Sequence, residues 1–326
     1  MSETCPTLEQ RVEALEKNQT VLWNETFGGD TPYNVYFAAD FGDASQASVL
    51  NLAAYLDLEY QEYPDRFLGF IAGGDLNYPS GSATTIDANL APFQAIIDAE
   101  LFFPALGNHD IDGAGNGSIL TSRFPYLPNN GPNATTSKWR TYFLDFTEKI
   151  GTVFYILDTG YNTAGAYNGG ATINEQKEWL YSEVVNLGAK FNIPVCHHPC
   201  FSVEDAAVLA TDYYSTWDLE FPQHAIPIVL NGHAHIDSHV VMRDIAGDRF
   251  QTDFLNCSSF MNFAVSTGGV TGTPFLSTFE AMPWRETGAP SVIKMTFYRN
   301  MVAVSYIGID VAGVQTLFST KYGFIR

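Results

Sequence analysis

Apolar and polar positions follow two regimes along this chain. Up to about residue 236, short apolar runs fall at 34–39, 67–73, 102–106, 152–158, 191–196 and 226–230. Apolar runs of this length mark strands buried on both faces. Helical spacing fills several of the gaps, at 45–58, 86–99 and 173–188, the last with Trp179, Leu180, Val184, Val185 and Leu187. This alternation predicts an α/β fold whose strand ends carry the chemistry. After residue 236 only strand patterns remain, at 238–243, 250–256, 292–298 and 301–308, with a turn at Tyr298-Arg299-Asn300-Met301. They predict a second, mostly antiparallel sheet closing the fold.

Residues 7–23 keep a different rhythm. Thr7 and Gln10 have capping-box spacing, and Leu8, Val12, Leu15, Gln19 and Leu22 follow a 4-3-4-3 pattern. Two heptads fit either a coiled coil, in which Arg11 reaches Glu16 of another chain, or one amphipathic helix packed on its own domain. Residues 1–30 are therefore read as a short N-terminal helical arm before a main domain, 31–326. The arm, through residues 7–23, is the expected route to a homo-oligomer or larger assembly.

Composition narrows the function. The chain has 326 residues, 46% hydrophobic and 14% aromatic, enough to bury a large core. Its 36 acidic residues against 16 basic give a formal net charge of −20. With no basic stripe to neutralise phosphates, neither nucleic acid nor an anionic membrane is an expected partner. An anionic substrate must then be drawn in by a local positive centre, which bound cations would supply. Cys5, Cys196, Cys200 and Cys257 make no disulfide framework, and Cys196 and Cys200 lack a second ligand pair at zinc-finger spacing. No basic-then-apolar leader stands at the amino terminus and no run reaches transmembrane length. A cytoplasmic or assembly-associated, virion-type setting is expected.

Candidate chemistry gathers at the ends of the apolar runs. Asp40 ends the first run. Asp75 follows Gly73-Gly74 after the second, with Tyr78 three residues on. Asn108, His109 and Asp110 follow the third, His197 and His198 the fifth, and Gly232-His233-Ala234-His235 the sixth. Each block alone is an ordinary turn. Together they bring four of the seven histidines (His109, His197, His233, His235) to the edge where open α/β sheets bind ligands. Carboxylate, phenol, amide and imidazole donors in this mixture suit two hard or borderline metal ions side by side. Asp43 reads as the cap of helix 45–58, and His224 and His239 as structural.

The ordered blocks resemble those of the calcineurin-like metallophosphoesterases, which run D-x-H, G-D, G-N-H-[DE], H and G-H-x-H. Position 42 is Gly where most members carry His. Asp40-Phe41-Gly42 and Gly74-Asp75-Leu76-Asn77-Tyr78 instead resemble the purple acid phosphatase branch, with D-x-G and G-D-x-x-Y, in its small single-domain form. The likeness spans about residues 33–320. It implies a four-layer αββα sandwich of two mixed sheets flanked by helices, with 31–326 as the metallophosphatase domain.

It also implies a first metal on Asp40, Tyr78 and His235, with Asp75 bridging to a second on Asn108, His197 and His233. A phenolate donor favours Fe(III), so the implied pair is Fe(III) with Fe(II), Zn(II) or Mn(II). The H-x-P spacing selects His197 as ligand, whereas a V-x-x-H count from Val195 selects His198. The proline is the firmer anchor, because it marks where the strand stops, and His198 is then expected to line the substrate pocket. His109 is expected to contact the phosphate or protonate the leaving alkoxide, with Asp110 as its orienting partner. Asn108, His109 and His198 are the expected substrate contacts. The implied activity is hydrolysis of a small phosphomonoester, of acid-phosphatase type, through in-line attack by a hydroxide bridging metals about 3.5–4 Å apart. A phosphodiesterase or nucleotide hydrolase would use the same donors. An oligomeric structural or virion-type protein displaying this domain is the alternative from another class.

Overall fold

A computed structural model describes residues 31–112, 116–132, 139–160, 171–199, 226–235, 237–243, 251–257, 290–298, 301–310 and 313–323. The expected helical arm, Cys5, Cys200, His224 and the middle of the expected turn, Arg299-Asn300, lie outside the described residues. The strands are β1 (Tyr33–Ala38), β2 (Phe67–Ala72), β3 (Phe102–Pro104), β4 (Tyr142–Phe146), β5 (Thr152–Leu157) and β6 (Phe191–Cys196). After them come β7 (Ile228–Asn231), β8 (Asp237–Arg243), β9 (Gln251–Cys257), β10 (Ser291–Tyr298), β11 (Met301–Asp310) and β12 (Gly313–Gly323).

They form two six-stranded mixed sheets, ordered β12-β11-β10-β1-β2-β3 and β4-β5-β6-β7-β9-β8. β1, β2 and β3 run parallel, as do β5, β6, β7 and β9, while the outer partners are antiparallel. The late strands therefore do not make a sheet of their own. β8 and β9 extend the second sheet beside β7, and β10–β12 extend the first from β1. The reason is an open edge on each parallel core: a strand's unpaired amides and carbonyls must find a partner, wherever in the chain it lies.

The two sheets pack face to face. Phe154 on β5 meets Phe297 on β10, with ring centroids 6.1 Å apart. The Tyr306 hydroxyl on β11 donates to the Ser238 and Asn256 carbonyls of β8 and β9, at 2.9 and 3.1 Å. Helices cover the outer faces. Helix Ala47–Glu62 buries Val49, Leu52, Ala53 and Leu56, and its Tyr55 contacts Tyr36 of β1 edge-on. Helix Ile173–Leu187 lays Trp179 against Tyr155 of β5 and Phe143 of β4. Thr172 opens that helix with a capping box: its hydroxyl accepts from the Glu175 amide, and Glu175 accepts from the Thr172 amide. The result is the helix–sheet–sheet–helix layering.

Two local expectations change. Helix 86–99 is broken into Ile86–Leu90, a 3₁₀ turn Ala91–Phe93 and Gln94–Asp98, because Pro92 has no amide to continue the α-helical ladder. Asp43 is not a helix cap. It accepts from the Ser45 amide, hydroxyl and the Gln46 side chain in a turn, and Gln46 takes the cap position. Among the described residues, no helix is long and apolar enough to cross a membrane.

Candidate metal centre

β1, β2 and β3 of one sheet and β6 and β7 of the other end at a common cleft. Asp40, Asp75 and Asn108 enter it from the first sheet, and His197, His233 and His235 from the second. Backbone geometry aims several of these side chains. Asp40, Asp75, His233 and His235 have φ of 60, 54, 68 and 53°, four of the seven non-glycine residues with positive φ among the described residues. Left-handed geometry costs a non-glycine residue roughly 1–2 kcal/mol. Four such residues in one cleft are held by their surroundings, not by local preference. Gly74 (φ 96°) is similarly constrained, since a Cβ there would lie 2.6 Å from His197 Nδ1 and 2.8 Å from the Gly107 amide nitrogen.

The donors fall into two groups. Asp40, Asp75 and His235 form one, and Asp75, His197 and His233 the other; within each group the ligand atoms lie within 4.8 Å of one another. Asp75 belongs to both. The Tyr78 hydroxyl completes the first, 3.2 Å from Asp40 Oδ1, 3.1 Å from Asp75 Oδ2 and 3.3 Å from His235 Nε2. Asn108 Oδ1 completes the second, 3.0 Å from both His197 Nε2 and His233 Nδ1. His197 Nε2 also lies 3.3 Å from Asp75 Oδ2, and its Nδ1 lies 2.9 Å from the Gly73 carbonyl, which fixes the ring.

Electrostatics fit a cationic occupant. Asp40 and Asp75 are fully buried carboxylates. Burial opposes charge on Asp75, but the adjacent His197 imidazole outweighs it and holds the carboxyl well below the usual range. Burial opposes charge on His197 too, yet Asp75 and Asp40 push it up to about 10. Burial, with the charges of Asp40 and Asp75, raises the Tyr78 phenol far above its ordinary value. A cation among the same atoms would reverse that last effect. Carboxylate, amide, phenol and imidazole donors packed this closely suit a pair of ions, with Asp75 between them.

His197, and not His198, stands among the donors. The His198 side chain turns to Thr159, whose hydroxyl lies 2.7 Å from Nδ1, and its ring packs 4.3 Å from that of His233. Burial, then the neighbouring His233 and His197, hold it well below its ordinary value, so it is neutral. His109 is a quarter exposed, with Nε2 3.9 Å from Asp75 Oδ2. Asp110 does not orient His109. Its carboxylate is buried and accepts from the Leu76 and Gly107 amides at 3.0 and 2.9 Å, bracing the two loops against each other. The Pro79 carbonyl takes the orienting place, 2.6 Å from His109 Nδ1. That contact and Thr159 escape sequence reasoning, because a backbone carbonyl has no sequence signature and Thr159 lies in no motif.

No family model matches the chain, and no curated protein matches it by sequence. Solved structures do. GAP50, the anchor in the inner membrane complex of Plasmodium, superposes with TM-score 0.62 at 12% identity, over 91% of this chain and 90% of its own. A dimetal phosphatase from Danio rerio gives 0.59 at 14%, over 90% of this chain and 99% of its own. Purple acid phosphatase PPD1 from yellow lupin (Lupinus luteus) gives 0.58 at 16%, over 90% of this chain and 54% of its own. The fold is that of the calcineurin-like phosphoesterases. At such identities the likeness establishes architecture alone.

Within this calcineurin-like fold, Gly42 has a steric cause. A Cβ at position 42 would collide with the Leu76 carbonyl carbon and the Asn77 amide nitrogen. The Gly42 amide donates to the Asp75 carbonyl and the Tyr78 amide donates to the Gly42 carbonyl, both at 3.1 Å. The Asp75–Tyr78 loop thus fills the space a side chain at 42 would need, and supplies a phenol in its place.

Proposed function

We propose that this chain is a dimetal phosphohydrolase acting on small phosphomonoesters, with Asp40, Tyr78, His235, Asp75, Asn108, His197 and His233 as ligands. The observation that carries this reading is Asp75, shared by two donor groups that draw on both sheets. The pairing of Gly42 with Tyr78 favours a ferric ion in the Tyr78 half, partnered by Fe(II), Zn(II) or Mn(II), and so activity of the purple acid phosphatase type. Two bound cations would supply Lewis acidity toward the phosphoryl oxygens and a water acidic enough to act as nucleophile.

The chain's own residues do the rest. With Nδ1 donating to the Pro79 carbonyl, His109 turns Nε2 toward the cleft, where it meets a phosphoryl or leaving-group oxygen. Neutral His198, steadied by Thr159, is buried with its ring packed beside that of His233. The −20 net charge keeps nucleic acid and anionic membranes away, and the local cationic centre is what admits a small anion.

Metal analysis of the purified protein, with its absorption spectrum and rates on an aryl phosphomonoester and the matching diester, tests this reading. Two equivalents of metal, a visible charge-transfer band lost in Tyr78→Phe, and faster monoester turnover are expected. A faster diester would transfer the assignment to a phosphodiesterase or nucleotide hydrolase. A colourless iron-loaded protein would remove the ferric-phenolate assignment.

The heptad pattern at 7–23 supports a second, compatible reading, in which the domain is displayed on an oligomer or larger assembly. The Plasmodium anchor that shares the fold is a precedent for such placement. Solution mass with and without residues 1–30 tests it, and a monomer in both cases removes it.

A further inference from the structure

A half-buried polar network around the buried Asn77, beneath the Tyr78 loop, has no counterpart in the expected motifs, and Asn89 links it to the loop of Asp40. Asn89, on the short helix Ile86–Leu90, donates through Nδ2 to the Gly42 carbonyl at 2.7 Å and to Asn77 Oδ1 at 3.2 Å. Its Oδ1 faces the Ala44 amide at 3.4 Å. A carbonyl on one side and an amide on the other leave only one orientation for the Asn89 amide group. Gly42 lies two residues after Asp40, and Asn77 immediately precedes Tyr78. Asn77 is itself buried, accepting from the Thr85 hydroxyl at 2.6 Å and donating to the Ser82 carbonyl at 2.8 Å. Asn89 therefore ties together the two loops that carry Asp40 and Tyr78. No direct bond joins it to the Asn108–His197–His233 side of the cleft.

We propose that Asn89 is a positioning residue for the Asp40–Tyr78–His235 half of the centre, setting the separation of the carboxylate and the phenol. The inference rests on the dimetal reading above. Three backbone bonds, Asp40–Gly74, Gly42–Asp75 and Gly42–Tyr78, join the two loops as a hinge, and Asn89 locks that hinge from the side. Without the side-chain donor the hinge persists but opens more freely, so the half-site it shapes loosens while the other half keeps its geometry.

Cobalt(II) titration of the metal-free full chain tests this, followed by d–d absorption and by direct metal analysis after gel filtration. Asn89→Ala deletes the donor, and Asn89→Leu fills nearly the same volume without one. Thermal melting of each metal-free variant checks that it folds, and either variant suffices. The wild type is expected to bind two equivalents. In the variants one binding step should weaken by roughly tenfold or more, the scale seen when ligand-supporting hydrogen bonds are removed, and it should be the step that Tyr78→Phe also weakens. Equal weakening of both steps marks a merely structural residue and overturns the proposal, as does a titration identical to wild type. A wild type that takes up no cobalt overturns the dimetal reading itself, and this role with it.

Discussion

At the scale of single residues, the proposed ligands and the proposed catalytic group differ in how tightly they are held. Asp75 is engaged on every side: Oδ1 accepts from the His109 amide at 2.9 Å, and Oδ2 faces His197 and Tyr78. His109 is different. Its ring is partly exposed and packs against Tyr78 with centroids 4.5 Å apart, and it reaches no candidate ligand within hydrogen-bonding distance through its side chain. A group so placed can be removed without dismantling the donor set. His109→Ala is therefore expected to lower turnover by about 10²-fold or more while the metal content stays at the wild-type level. Unchanged turnover would strip His109 of a catalytic role, and a parallel loss of metal would make it a structural brace for Asp75.

Between elements, one long-range tie is ionic. Glu59 of helix Ala47–Glu62 accepts from the Tyr36 hydroxyl at 2.7 Å, and Lys294 of β10 donates to both its oxygens at 3.0 Å. Burial pushes the Glu59 carboxyl up, but the Tyr36 hydrogen bond and the Lys294 charge outweigh it and leave it below its ordinary value. A carboxylate depressed in the folded state stabilises the fold above its unfolded value of about 4.3, and that contribution is lost as pH falls through the lower folded value. Glu59→Gln should cost about 1–3 kcal/mol at pH 7. The gap from wild type should close as pH falls below about 4. Urea unfolding at neutral and acid pH measures both, and a gap that does not change with pH would mean that packing, not charge, carries the contact.

The elements also show what a sequence conveys and what it withholds. Strands buried on both faces, such as β5 and β6, announce themselves as continuous apolar runs. β4 goes unrecognised because Tyr-Phe-Leu-Asp-Phe alternates between buried and exposed positions at a sheet edge and carries Asp145. β12 goes unrecognised because Val314, Thr316, Phe318, Thr320 and Tyr322 alternate with other residues and form no run. Sheet membership of the late strands is not a local property at all: β10 pairs with β1, whose residues lie more than two hundred positions earlier. The site is the reverse case. Its side chains stand in ordered blocks and were legible, whereas the Pro79 carbonyl and the Asn89 bridge depend on loop conformation and were not.

Over the whole molecule, the cleft is where the two sheets are joined by chemistry as well as by packing. Asp40, Asp75, Tyr78 and Asn108 belong to one sheet's strand ends and loops, and His197, His233 and His235 to the other's. His235 pairs with Asp40 at 3.3 Å, and His197 with Asp75 at the same distance, so each donor group spans both sheets. A cation in either group therefore cross-links the sheets, and it binds the folded chain alone, since unfolding disperses donors drawn from five separate segments. Two sites, each at a free-metal concentration roughly 100-fold above its Kd, would add about 5 kcal/mol, which for a chain of this size is on the order of 10 °C in unfolding midpoint. Chelation should lower the midpoint by that order, and added metal should restore it. Asp75→Asn, which removes the charge common to both groups, should leave a folded protein whose midpoint responds weakly to either treatment. If the wild-type midpoint ignores chelator and metal alike after complete removal of bound ions, the convergence of these side chains does not amount to a metal centre, and the sheets are held by their apolar interface alone.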